Sequence, residues 1–133
     1  DFVCNRVSRK DGHHVFVTAK LLNPTTLAEV KMLISSFHAI PQLLNLPSAP
    51  TNPIQLVETI DTSKHLWADG ETFPQQVEPS KDLRAGMAIT VGNLQLIEPD
   101  VISFEAYSHN TIRGAAGGVV LLAELALNEG YLD

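Results

Sequence analysis

The sequence predicts an α+β fold, a mainly antiparallel sheet with helices packed on one face. Three observations lead there. Strand-like and helix-like runs come in the order strand, helix, strands, helix, which is not the regular alternation of a doubly wound parallel sheet. The chain has 133 residues, 44% of them hydrophobic, which suits one core and one domain spanning 1–133. Residues 101–107 alternate apolar and polar side chains, the mark of a strand with one covered face.

In chain order, Val15 to Leu21 is a β-rich run that stops before Asn23-Pro24, and it reads as the first strand. Thr26 and Glu29 have the spacing of a capping box. Leu27, Val30, Leu33, Ile34 and Phe37 then recur at helical spacing, so a helix is predicted from Leu27 to His38. Pro41, Pro47, Pro50 and Pro53 remove backbone donors and make 41–53 a loop. A strand resumes over Ile54 to Ile60.

From Asp61 to Leu83 the chain is polar, with Trp67, Phe73 and Val77 scattered and no period; a loop of this length is more often a lid or binding element than filler. Met87 to Val91 and Asn93 to Ile97 flank Gly92 as two strands, and Val101 to Tyr107 is a third. Ala115 to Asn128, rich in Ala, Leu and Val, runs as a second helix to a C-cap at Gly130. The tally is about five strands and two helices.

Nine Lys and Arg against 15 Asp and Glu give a net charge of -6, a field that opposes nucleic acid. No window approaches the roughly 18 apolar residues of a membrane span. Cys4 is the one cysteine and no signal-peptide pattern opens the chain, which together predict a reducing, cytoplasmic setting. The first residue is Asp1 instead of Met, which leaves room for a preceding segment.

His13 and His14 follow Gly12 where a strand begins, so alternation points one imidazole into a cleft and the other away. Their spacing is poor for joint metal binding, and the dispersed acids form no metal cluster. A neutral imidazole serves as general acid or base, and Arg6, seven residues upstream, suits a bidentate grip on a carboxylate. The competing structural reading is a surface histidine and an arginine in a salt bridge. Cys4 reads as a small apolar residue, with no helix N-terminus or group of cations to activate it. His109, Asn110 and Thr111 precede the last helix, where short polar side chains ordinarily cap; His109 and Asn110 are also possible pocket residues. Gly114, Gly117 and Gly118 permit close backbone approach. His38 and His65 default to the surface. No phosphate-cradling glycine loop or serine elbow is present.

Read in order, Cys4-Asn5-Arg6-Val7, Asp11-Gly12-His13, Leu46-Pro47-Ser48-Ala49-Pro50, Val91-Gly92 and His109-Asn110-Thr111-Ile112-Arg113-Gly114-Ala115-Ala116-Gly117-Gly118 resemble aspartate-semialdehyde dehydrogenase, in its fungal and archaeal branch. The resemblance covers the C-terminal substrate and dimerisation part of such an enzyme. It implies that Arg6 binds the substrate carboxylate, that His13 is the acid–base residue beside a nucleophilic cysteine, and that the domain pairs as a homodimer. The nucleotide-binding domain and the nucleophile lie upstream in the family, and Cys4 does not match that nucleophile. Three departures stand out. The family's asparagine that contacts the nicotinamide corresponds to Leu122, its arginine-rich strand after Val-Gly reads Asn93-Leu94-Gln95, and its Pro- and Arg-containing loop gives way to 61–83.

Leu122, which lacks the amide, puts one reading first: a free-standing relic of that domain, without cofactor, reused for isomerase, lyase or cyclase chemistry on a small carbonyl or carboxylate compound. The alternative is a fragment of a genuine NADP-dependent aspartate-semialdehyde dehydrogenase of amino-acid biosynthesis. A third reading is a non-catalytic dimerisation or binding module.

Overall fold

A computed structural model describes residues 4–132; Asp1 lies outside them. Strand β1, His13–Lys20, begins two histidines earlier than the β-rich run suggests. Helix α1, Leu27–Ser35, carries the full capping box: the Thr26 hydroxyl accepts from the Glu29 N–H at 3.2 Å, and the Glu29 carboxylate accepts from the Thr26 N–H at 2.8 Å. These bonds, with those from the Thr25 and Thr26 hydroxyls, hold the Glu29 carboxyl below its ordinary range. The helix stops short of His38, because the Ser36 hydroxyl turns back to the Leu33 carbonyl and Ser36 leaves helical geometry at ψ near 0.

The proline-rich stretch is not wholly loop. It opens with a short helix, α2, Ile40–Leu43, in which Pro41 occupies the first turn, where a missing N–H costs no hydrogen bond. Beyond it Leu46, Ser48, Ala49 and Pro50 are buried.

Strands β2 (Ile54–Leu56), β3 (Ile89–Glu98) and β4 (Val101–Ser108) complete one sheet of order β1-β4-β3-β2. Both pairings of β4 are antiparallel, while β2 runs parallel to β3. A parallel pair requires a long crossover, and residues 57–88 provide it without regular structure, so the predicted loop is real and extends further than 61–83. The strand expected over 54–60 is short: Val57 still donates to Val91 and the Glu58 carbonyl accepts from Asn93, and the chain then leaves the ladder at a bend in β3.

The two strands expected around Gly92 are one. Gly92 marks a bend in β3, with Asn93 at φ +49 and the register slipping between Gly92 and Gln95. A Cβ at Gly92 would lie 2.9 Å from the Ile60 side chain, so the crossover presses directly on the strand.

The last helix, α3, is Gly117–Asn128, preceded by a π-helical turn over Ile112–Ala116. A Cβ at Gly117 would collide with the Met87 sulfur, 2.5 Å away, so glycine lets the helix start settle on the buried Met87. Gly130, at φ +75, follows the helix end as the sequence suggests. The buried apolar residues gather around Met87, Ala88, Val91, Ile102 and Tyr107, with Leu46, Ala49, Ala68 and Ala85 from the loops. Among the described residues no helix is long and apolar enough to cross a membrane.

Candidate functional site

The antiparallel register sets His13 opposite Ser108 and His14 opposite Tyr107. One step further out, the Asp11-Gly12 turn meets the chain leaving β4. The Gly12 N–H donates to Asn110 Oδ1 at 2.7 Å. Gly12 has φ +111, and a Cβ there would lie 2.8 Å from ring carbons of Tyr107, so geometry and space both demand glycine. Tyr107 is 2% exposed, and its hydroxyl donates to the Thr62 carbonyl at 3.0 Å, tying the crossover to the sheet. Burial pushes the phenol upward, and the positive charge of Arg9 opposes that rise.

His109 is 3% exposed, packed 4.3 Å from the Trp67 ring, with Nδ1 3.2 Å from the Thr111 hydroxyl. Burial lowers its pKa, against the pull of the Asp11 carboxylate. His109 and Asn110 therefore do not cap the last helix, and Thr111 makes no side-chain cap bond either. One fills the core while the other reaches across to the turn that carries His13.

His13 is exposed at the start of β1, and Arg6 is exposed in the segment before it. Among the described residues neither side chain makes a hydrogen bond or ion pair, so the alternative of a salt-bridged arginine does not hold there. The structure brings His13, Asn110 and His109 together around one turn; it places Arg6 upstream of them with no bond to them. His14 takes the opposite side of the strand. Its Nε2 lies 2.9 Å from Glu105, which also accepts from Asn93 Nδ2 at 2.7 Å, and its ring stacks on Phe16.

Two other residues depart from expectation. Cys4 is exposed, not packed as a small apolar residue. His65 is 6% exposed, not at the surface: its Nδ1 accepts from the Asp61 N–H at 3.1 Å and its ring lies 4.4 Å from Phe73, with burial lowering its pKa. His38 is exposed. Tyr107 and Trp67 were not legible as site residues, because their roles come from Gly12 and His109, distant in sequence. Among the described residues no three His, Cys, Asp or Glu side chains gather to hold a metal. Clefts of about 380 and about 500 Å³ lie under the crossover and beside β2, and neither is lined by His13 or Asn110.

No protein-family model matches the chain. Among curated proteins, it is 35% identical over its whole length to a malonyl CoA reductase (NADP) of Metallosphaera sedula. It is 34% and 32% identical to aspartate-semialdehyde dehydrogenases of Methanothermobacter thermautotrophicus and Trichophyton rubrum, over 95% and 97% of the chain. Its fold matches a crystal structure of aspartate-semialdehyde dehydrogenase with NADP from Candida albicans at a TM-score of 0.65, with 22% identity, over 92% of this chain and 31% of that one. The chain is homologous to the C-terminal part of aspartate-semialdehyde dehydrogenases. It spans about a third of the length of the curated relatives it matches.

Against that dehydrogenase pattern, Leu122 is 64% exposed on α3, an apolar side chain with nothing to offer a carboxamide. The position does not fit the contact with a nicotinamide that the family resemblance implies.

Proposed function

We propose that this chain forms the substrate-binding and proton-transferring part of an NADP-dependent semialdehyde dehydrogenase or acyl reductase acting on a short carboxylic acid. Arg6 holds the substrate carboxylate through its two-pronged guanidinium, and His13 moves a proton at the reacting centre. The nicotinamide nucleotide and the nucleophilic thiol come from outside these residues. The observation that carries the reading is the pair of exposed side chains Arg6 and His13, neither bonded to another side chain among the described residues, the latter beside a turn tied down by Asn110.

The relatives support a redox reading over the isomerase, lyase or cyclase one, since they are named as dehydrogenases or as a reductase. Aspartate semialdehyde and malonyl-CoA share a free carboxylate near the reacting carbonyl carbon, which suits an arginine clamp. A second copy of the chain is the partner in this reading. Exposed Val119, Val120, Leu122 and Leu127 on α3 favour burial against one, and light scattering of the purified protein tests it.

The deciding assay uses the polypeptide that carries this chain and follows NADPH formed as NADP and phosphate convert aspartate semialdehyde to the acyl phosphate, and NADPH consumed as malonyl-CoA is reduced to the aldehyde with release of CoA. Turnover of one of them, reduced roughly a hundredfold by His13→Ala and impaired in Arg6→Lys, supports the proposal. Absence of turnover with both overturns it.

A further inference from the structure

We infer that Asn110 is a positioning residue for His13, acting through the backbone of Gly12; the inference rests on the role just proposed for His13. The β1–β4 ladder ends at the pair His13 and Ser108, so the Gly12 N–H lies beyond the last regular pairing. Asn110 Oδ1 takes that N–H at 2.7 Å and extends the strand pairing by one bond, made by a side chain in place of a carbonyl. At φ +111 and with the Tyr107 ring where a Cβ would stand, the position takes glycine alone, whose freedom leaves the Asn110 bond as what fixes the peptide, and the next residue along is His13.

Asn110 is itself held. The preceding His109 is buried on Trp67, and the following Thr111 bonds the His109 ring as the π-helical turn begins. The exposed amide of Asn110 therefore projects from a fixed base onto the one peptide that orients the proton-carrying imidazole. Misplacing a reacting group by a fraction of an ångström to an ångström lowers turnover without lowering affinity, because substrate binding belongs to Arg6.

The test is a double-mutant cycle in the polypeptide that carries this chain. Asn110→Ala is expected to lower kcat about tenfold with KM nearly unchanged, while Asn110→Asp, which keeps the acceptor, restores most of it. In a His13→Ala background, Asn110→Ala should produce no further loss. Gly12 amide exchange, followed by NMR, should quicken roughly fivefold to tenfold in Asn110→Ala, the scale of one lost hydrogen bond. Wild-type kcat in Asn110→Ala, or losses that multiply in the double variant, overturns the inference while leaving His13's role standing. Full turnover in His13→Ala overturns both.

Discussion

Glu124 and Ser48, 76 positions apart, form a two-pronged contact: the carboxylate accepts the Ser48 N–H at 3.0 Å and the Ser48 hydroxyl at 2.8 Å. Ser48 is 1% exposed with Glu124 in place, so the carboxylate is the partner that satisfies its buried N–H and hydroxyl. Glu124→Ala should therefore lower the unfolding free energy by about 2–3 kcal/mol, and Glu124→Gln, which keeps one acceptor oxygen, by less. Urea denaturation decides it, and equal losses for the two variants would contradict the account.

Thr90 is buried near the start of β3, and its hydroxyl has no hydrogen-bond partner among the described residues. Replacing that hydroxyl with a methyl removes a desolvated polar group at nearly the same shape. Thr90→Val is expected to raise stability by about 1 kcal/mol. A clear fall in melting temperature would indicate that the hydroxyl is satisfied.

His65 and His109 are both held below the ordinary histidine value of 6.5 by burial. The unfolded chain then binds protons that the folded chain refuses. Stability from this source is complete above about pH 6.5 and is lost as the pH falls through that unfolded value toward the lower folded ones. Thermal melts from neutral to mildly acidic pH should show this decline, and His65→Phe should lessen it, leaving the part due to His109. A melting temperature independent of pH across that range would refute the assignment.

Gly12→Ala forces a side chain into the left-handed region and against the Tyr107 ring. A cost of about 1–3 kcal/mol is expected, the range for backbone strain of this kind. Gly114→Ala, where a Cβ meets nothing within 4 Å, is the control and should cost far less at unfolding.

NADP should not bind the 133-residue chain by itself, because α3 presents Leu122 where the family resemblance implies an amide. Calorimetric titration measures this directly. Saturable binding at micromolar NADP would mean that other residues of this chain grip the nucleotide.

The features legible in the sequence are those encoded locally. Thr26 and Glu29 announce the start of α1, Gly130 its counterpart beyond α3, and strand alternation separates His13 from His14. What escaped is set by contacts distant in sequence. Gly92 reads as a break but is a bend that lets Ile60 cross, and Gly117 is needed because Met87 lies where its Cβ would be. Within the site, Asn110 looks like a helix cap, and only its meeting with Gly12 reveals another use. His65 carried no signal of burial; Phe73 and the Asp61 amide supply the reason.

The strand order β1-β4-β3-β2 also dictates a history. As the chain leaves the ribosome, β1 emerges with no partner, and β2 waits behind the whole crossover for β3. The β3–β4 hairpin, joined by Pro99 and Asp100 alone, is the pairing with the shortest connection, so it is the natural seed on which the older strands condense from either side. Even then β1 keeps one unpaired edge, with Phe16 exposed beside it, so the finished sheet still offers a row of free backbone groups to a stranger's strand.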